Sequence, residues 1–244
     1  MMAEAQYAYK QAVEICPDGG SEGGWQLVDI LLRQRKFAEA KEIADRYRER
    51  DPYNNGMADR SARITRIYDL DATILPELKE KIDTDRANTT IMDIMDFVSG
   101  SLEMGMLADA RNYGNLITTN ENISPTAVFA LGRIYSKHNR HDMAAAAFQK
   151  YVARQADDAN GWVEFGWSLI NMNRFEEGYK AWEKAIKLGG AAVARQLAED
   201  SRIRPFLLQQ PPDGPFRKLI REAGSAQPQR PAPNTPWNTQ LPRK

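Results

Sequence analysis

His138, His141 and Asp142 lie close together in one short polar segment, and their side chains are of the types that bind metal ions. A structural zinc site usually has four ligands, and the polarity of a turn between helices explains the same residues equally well. Cys16 is the single cysteine, so it has no partner for a disulfide or a thiolate metal site, and no histidine in its own segment activates it. We interpret Cys16 as a small packed side chain, and we predict no metal, no cofactor and no enzyme activity.

Other patterns that would support chemistry are weak. The glycine-rich residues 19–24 lack the following lysine and the preceding strand that a phosphate-binding loop needs, so we interpret them as a loop between repeat halves. The chain has 33 basic and 33 acidic residues without a sustained basic run, which disfavours nucleic acid as a partner. No stretch approaches the roughly 20 consecutive apolar residues of a membrane-spanning helix. We therefore expect the function to depend on the surface that the helices present.

The helices are indicated by a period of 34 residues between Ile91 and Ala192, in blocks 91–124, 125–158 and 159–192. The last two blocks have apolar or small residues at matching offsets: Val128, Leu131, Gly132, Tyr135, Ala144 and Phe148 in one, and Trp162, Phe165, Gly166, Leu169, Phe175, Gly178, Trp182 and Ala185 in the other. The first block keeps this register, but Val98 replaces the small residue and Gly114 the aromatic one. A glycine on the first helix of each pair indicates that the second helix crosses close to it.

This pattern resembles the tetratricopeptide repeat, a pair of helices of 34 residues. The resemblance implies an all-α fold in which helix pairs stack into a right-handed superhelix, or solenoid. It also implies a non-catalytic scaffold for protein–protein interaction, with another protein or a peptide as its partner.

Upstream of the three blocks the repeat is less regular. Residues 1–55 are interpreted as half a repeat followed by one loose repeat, and the half repeat would leave the apolar face around Tyr9 uncovered. We hypothesise that this chain is part of a longer protein, or that another chain, including a second copy, covers that face. Residues 56–90 are interpreted as a degenerate helix pair and a hinge, in which Pro76 either kinks a helix or begins a second one capped by Thr73.

Downstream, residues 193–222 are interpreted as a capping helix and a closing segment, with Phe206 and Phe216 sealing the last repeat. Residues 223–244 are rich in proline, and we expect them to form a disordered or extended tail. The tail contains the P-x-x-P spacing twice, so Pro231, Pro236 and Trp237 are candidate docking residues. A solvated tail without a partner is the alternative.

The resemblance to tetratricopeptide repeats also selects a groove, because the first helix of each pair lines the concave surface in that family. The positions carried over by register are Met92, Met95 and Ser99, then Thr126, Phe129, Arg133 and Lys137, then Asn160, Val163, Trp167, Ile170 and Asn171. The chaperone-binding clamp of the family is not matched, since Phe129 and Val163 replace polar residues. A groove of apolar and basic residues favours a peptide or helix with apolar anchors and acidic groups. Packing of Trp167 and Phe129 against neighbouring helices is the alternative.

The order of the segments, ending in Phe-Arg-x-Leu-Ile, looks like the soluble C-terminal tail of bacterial multi-pass membrane proteins of the glycosyltransferase type. This resemblance implies an accessory domain beside a membrane-embedded enzyme and a periplasmic location. A complete chain would instead be expected in the cytoplasm.

Overall fold

The computed structural model describes residues 2–15, 21–209 and 214–225, and all regular structure in these ranges is helical. The helices are α1 Met2–Ile15, α2 Ser21–Arg33, α3 Phe37–Arg50, α4 Asn55–Asp69, α5 Leu75–Thr84, α6 Ile91–Glu103, α7 Leu107–Thr118, α8 Pro125–Lys137, α9 His141–Arg154, α10 Ala159–Asn171, α11 Phe175–Glu199, α12 Arg204–Gln209 and α13 Pro215–Ser225, with a π-turn at Leu70–Ile74 between α4 and α5. The prediction of an all-α fold built from helix pairs is confirmed. No helix in these ranges has the length and apolar character needed to cross a membrane.

The chain forms two compact units, which meet in sequence between Thr119 and Asn120. Unit 1 contains α1 to α7, and unit 2 contains α8 to α13. The boundary does not fall within residues 56–90, which were expected to form a hinge.

Each regular pair is closed by a turn containing one residue with a left-handed backbone. These residues are Arg35, Gly105, Asn139 and Asn173, with φ between 57° and 72°. The last three are spaced 34 residues apart, because each follows the first helix of its pair. Glycine and asparagine are the residues that adopt this conformation at the lowest cost, so the turns reinforce the period.

In unit 2 a glycine on the first helix of each pair lies under an aromatic ring of the second. A Cβ added at Gly132 would lie 2.7 Å from Phe148 Cε1, and one added at Gly166 would lie 2.5 Å from Trp182 Cδ1. Trp182 is fully buried and its Nε1 donates a hydrogen bond to the Val163 carbonyl oxygen at 3.0 Å. The expected close crossing of the two helices therefore depends on these glycines.

Residues 56–90 differ from the expected helix pair. The chain from Asn55 to Thr84 is one continuous helical run, with the π-turn in its middle and no reversal of direction. Pro76 lies in the first turn of α5, where its missing N–H costs nothing, and Thr73 lies inside the π-turn and caps nothing. The run packs on α3 through α4 and on α6 through α5.

The structure near the N-terminus differs from the expectation that the glycine-rich residues form a loop. Gly23 and Gly24 belong to α2, which begins at Ser21, so this part of the glycine-rich segment is helical and not a loop. Gly24 is buried beneath the ring of Tyr47, where a Cβ would collide with it. On α1, Tyr9 and Val13 pack against the core around Trp25, while Tyr7 and Ile15 are exposed.

The end of unit 2 is closed by aromatic packing. Gly190 breaks α11 with φ 57° and ψ −141°, and α13 packs back on α11. Phe216 is buried and stacks on Trp182 with their ring centroids 5.7 Å apart. Helix α13 continues to Ser225, three residues into the segment expected to be a tail. Cys16 and the docking residues Pro231, Pro236 and Trp237 lie outside the described residues.

Candidate functional site

A cleft of about 420 Å³ lies in unit 2 between α8, α10 and the chain that follows α11. We call it the Trp167 cleft. It is lined by Arg133, Ser136, Lys137, Asn139, His141, Glu164, Trp167, Asn171 and Arg202. Arg133, Lys137, Trp167 and Asn171 were selected from the sequence as groove residues, and the fold brings these four together.

Trp167 is held in the cleft by contacts on several sides. The ring of His141 meets it edge-on with centroids 6.4 Å apart, and the ring of Phe206 meets it at 5.9 Å. The guanidinium carbon of Arg202 lies 5.3 Å from the ring centroid, within the range of a cation–π contact. Trp167 remains only partly buried, so it offers a fixed aromatic surface to a ligand.

The positive charge of Arg202 is balanced within the protein. Its Nη2 donates to Asp200 Oδ2 at 2.8 Å and to Glu164 Oε1 at 3.3 Å. The hydrogen bond with Asp200 is the main reason that the pKa of Arg202 is raised, and the same bond lowers the pKa of the Asp200 carboxyl group. Arg202 therefore serves to position Trp167, with little charge left for a partner.

Arg133 and Lys137 differ from Arg202 in this respect. They lie one turn apart on α8, both are exposed, and no described residue forms an ion pair or a hydrogen bond with either side chain. Two cations four residues apart on a helix repel each other. An acidic ligand would relieve this repulsion, so the cleft favours anionic groups.

His141 contributes a neutral ring to the cleft. Its Nδ1 is buried without a hydrogen-bond partner among the described residues, and burial lowers the pKa of the imidazole despite the opposing charge of Asp142. No group of three or more His, Cys, Asp or Glu side chains in the described ranges is arranged to hold a metal ion. The ring packs against Trp167.

The remaining groove residues of the sequence prediction do not form part of this cleft. Val163 is 1% exposed and Met95 is 6% exposed, so their assignment to a partner-facing surface is wrong. They lie on the faces of α10 and α6 that pack into the cores of their units, and Ile170 is buried likewise. Helical register alone does not distinguish the core edge of a helix from its groove edge.

Phe129 and Asn160 have structural contacts of their own. The ring of Phe129 packs at 4.9 Å from that of Tyr151 and 5.4 Å from that of Phe148, which agrees with the alternative that it is part of the packing. Asn160 is exposed in the first turn of α10, where its backbone N–H donates to Asp158 Oδ1 at 3.0 Å. A contact of Asn160 with a partner stays a prediction.

Sequence reasoning missed His141, Glu164 and Arg202 as cleft residues. Glu164 lies one position after a selected residue on α10, so the correct helix was identified but not the correct edge. Arg202 follows the last repeat, where the period no longer applies. Only the return of the chain beside Trp167 places Arg202 in the cleft.

A second cleft, of about 510 Å³, lies in unit 1 and we call it the π-turn cleft. It is lined by Arg66, Leu70, Ile74, Glu77, Leu78, Lys81, Asp93, Asp96, Ser99 and Gly100. Asp93 forms a capping box with Thr90 at the start of α6 and accepts a hydrogen bond from Lys81 Nζ at 2.8 Å. These bonds, that of Lys81 above all, lower the pKa of Asp93 to about 2.

Residues 19–23 also have the letter pattern Gly-x-Ser-x-Gly of a nucleophile elbow. That elbow joins a strand to a helix, whereas the described element before Ser21 is the helix α1. The pattern therefore lacks the structural context that would support catalysis.

Comparison with known proteins identifies one segment of the chain. Residues 125–158 match the family model of the tetratricopeptide repeat, and these bounds coincide with the second 34-residue block and with α8 and α9. The crystal structure of the MamA protein is similar over 82% of this chain and 97% of its own, with 15% sequence identity and a TM-score of 0.36. No curated protein matches the chain in sequence. The resemblance to tails of membrane glycosyltransferases is not tested by these findings and stays a prediction.

Proposed function

We propose, taking this chain as a tetratricopeptide-repeat protein, that it is a protein-interaction scaffold whose Trp167 cleft binds an acidic peptide segment of a partner protein. The repeat supports an interaction role in general, since stacked helix pairs present extended binding surfaces. The acidic character of the partner is inferred from the cleft itself.

The observation that carries this proposal is the pair of uncompensated cations, Arg133 and Lys137, beside an aromatic ring that is already fixed in place. Aromatic and arginine side chains contribute much of the binding energy in protein interfaces. Because Trp167 is held by His141, Phe206 and Arg202, little side-chain freedom is lost when a ligand packs on it. An apolar ligand side chain would pack on this ring while acidic groups pair with α8.

The test begins with peptides selected on the full chain from a random displayed library and then measured as labelled peptides by fluorescence polarisation. We expect the selected set to contain acidic peptides, and these are the ones measured. The double substitution Arg133→Glu and Lys137→Glu should weaken their binding about 10-fold or more, equivalent to at least about 1.4 kcal/mol. Both residues are exposed, so the fold should be kept.

Lys150→Glu is the matched control, because Lys150 is exposed on α9 and does not line the cleft. It should leave the affinity within about twofold, since a single exposed charge contributes little. The absence of acidic peptides from the selected set, or equal losses in the control and the double variant, would contradict the proposal.

A further inference from the structure

The π-turn cleft in unit 1 is a second site with the opposite charge preference. Its shape depends on the π-turn, which widens the helical run opposite α6 and places Leu70 in the core. Gly100 allows α6 to approach, because a Cβ there would lie 2.9 Å from Leu75 Cδ2 and 3.0 Å from Leu70 Cδ2. Single π-turns within α-helices occur frequently at functional sites.

The two cations that line this cleft are already paired. Arg66 Nε donates to Glu103 Oε1 at 3.0 Å and its Nη2 donates to Glu103 Oε2 at 3.0 Å, in a bidentate arrangement. Lys81 is bonded to Asp93. Each pair is neutral in sum, so neither cation is available to an anionic ligand without breaking an existing contact.

Two carboxylates of the lining are left over. Glu77 on α5 and Asp96 on α6 are exposed, and no ion pair or hydrogen bond joins either side chain to another described residue. They face the cleft from its two opposite helices, so a cation between them would interact with both. The unpaired charge of the π-turn cleft is therefore negative, whereas that of the Trp167 cleft is positive.

The floor between these carboxylates is apolar. Ile74 is 39% exposed at the end of the π-turn, and Leu78 is half-buried one turn later. An exposed apolar floor flanked by unpaired charges favours an extended segment with one large apolar side chain and cationic neighbours. A simple metal ion would not use the floor.

We propose that the π-turn cleft binds a cationic peptide segment that carries one large apolar side chain. The Trp167 cleft does not fit this ligand, because Arg133 and Lys137 would repel it. This site is independent of the acidic-peptide site proposed for unit 2, and the two sites would allow the scaffold to hold two segments of opposite charge.

The sequence of this chain supplies a suitable probe. Residues 226–244 contain Arg230, Arg243 and Lys244, no acidic residue, and Trp237 as the large apolar side chain. A labelled synthetic peptide of residues 226–244 with Thr235→Lys and Thr239→Lys, which places cations two residues on either side of Trp237, is the cationic probe. The same peptide with all five cations replaced by Gln is the neutral probe. The protein is the full chain with R230Q, R243Q and K244Q, so that its own terminus does not compete.

We expect saturable binding of the cationic probe in fluorescence polarisation, and binding of the neutral probe to be at least about 10-fold weaker. Glu77→Gln with Asp96→Asn should weaken the cationic probe by at least about 10-fold, since both compensating charges are removed. Glu80→Gln is the matched control, because Glu80 is exposed on α5 but does not line the cleft. Glu77→Gln with Asp96→Asn should leave the binding of an acidic peptide selected for the Trp167 cleft unchanged, because neither residue lines that cleft, which separates the two proposals.

Three outcomes would overturn the inference. The first is the absence of saturable binding by the cationic probe while circular dichroism shows a folded helical chain. The second is equal binding of the cationic and neutral probes. The third is an unchanged affinity in the Glu77→Gln, Asp96→Asn variant.

Discussion

A repeat of unit 2 and the middle of unit 1 contain helical segments of similar length but arrange them differently. In unit 2 each repeat reverses direction at a left-handed Asn, and a glycine on the first helix admits an aromatic ring from the second. In unit 1 residues 55–84 continue in one direction, and a π-turn changes the face that the helix presents. A hairpin and a π-turn are thus two means of directing a second helical segment toward a new neighbour.

The two solutions also leave different surfaces exposed. The segment after α11 brings Arg202 beside Trp167, and Arg202 pairs with the carboxylates of Glu164 and Asp200. The two cations of α8 therefore have no acidic partner in the cleft. In unit 1 both cations of the π-turn cleft are paired, Arg66 with Glu103 and Lys81 with Asp93. The carboxylates of Glu77 and Asp96 therefore remain unpaired in its lining. The charge of each cleft is therefore decided by which residues are already paired.

The largest expected effect comes from inserting one alanine after Ala72, an exposed residue in the π-turn. The π-turn already takes up one residue more than an α-helical turn, and each further residue adds about 100° of rotation. The insertion would therefore turn Leu75 and Ile82, now 4% and 3% exposed, away from their core. We expect the free energy of unfolding of unit 1 to fall by about 3 to 6 kcal/mol, from the loss of two buried aliphatic side chains. Urea denaturation measures it.

Ala72→Ser is the control for this insertion, since it keeps the length of the π-turn. It should shift stability by less than about 0.5 kcal/mol, as is usual for an exposed position. An insertion variant as stable as the parent would show that the length of the π-turn does not set the register of α5.

The next prediction compares the change in the free energy of unfolding when alanine replaces a glycine of unit 2 and a glycine of unit 1. In Gly166→Ala the added Cβ meets the Trp182 ring at 2.5 Å and the Gly178 carbonyl oxygen at 2.9 Å, and we expect a loss of about 2 kcal/mol. In Gly100→Ala the nearest atoms are the flexible ends of Leu75 and Leu70. There the gain in helix propensity of about 1 kcal/mol offsets the crowding, so we expect little change.

Hydrogen exchange resolved by peptide locates these effects. Exchange should rise in α10 and α11 of the Gly166→Ala variant and stay unchanged in α2 and α3, because a repeat contacts only its neighbours. A uniform rise along the chain, or equal losses in the two variants, would remove the distinction between rigid aromatic and adaptable aliphatic packing.

The smallest effect concerns two tyrosines at high pH, Tyr151 in unit 2 and Tyr113 in unit 1. Burial first, and then the hydrogen bond to Asp158 at 2.5 Å, raise the pKa of Tyr151 to about 12. Burial and Asp83 raise the pKa of Tyr113 as well. Because the pKa of each tyrosine is higher in the folded than in the unfolded chain, its contribution to the free energy of unfolding is complete below the unfolded pKa of about 10. That contribution is lost as the pH rises through the folded pKa.

Absorbance titration of the phenolates should therefore show Tyr151 and Tyr113 ionising above the ordinary pH range of tyrosine. Asp158→Asn should lower the pKa of Tyr151 while keeping it above its ordinary value, because burial is the larger cause and asparagine still caps α10. Asp83→Asn should do the same for Tyr113 alone. An absorbance titration that neither Asp158→Asn nor Asp83→Asn changes would contradict this prediction.

Much of the repeat architecture was available from single residues. Gly132 and Gly166 indicated close crossings of the helices, because this glycine requirement is local. The asparagines that the structure shows in the turns, 34 residues apart, are a signal of the same local kind that the sequence analysis did not use. The π-turn could not be predicted from the sequence, since Pro76 is equally compatible with a kink, a new helix or the first turn of a continuing helix. Packing of α5 on α6 selects among these.

The candidate site was predicted in part for the same reason. Periodicity placed Arg133, Lys137, Trp167 and Asn171 on the correct helices, but it also selected Val163 and Met95, which are buried. Whether one edge of a helix is buried or exposed depends on the segments that pack against it. Helix α10 packs partly against the segment after α11, which lies outside the repeats.

The sequence by itself determined the helical class, the length of the repeat and the helices that carry the Trp167 cleft, because these follow from spacing along one chain. Only the tertiary structure decided which charges remain unpaired and where the π-turn changes the side of the helix that packs in unit 1. Pairing of Arg202 with Glu164 and of Arg66 with Glu103 joins residues more than 35 positions apart. Such contacts depend on packing that no local pattern records.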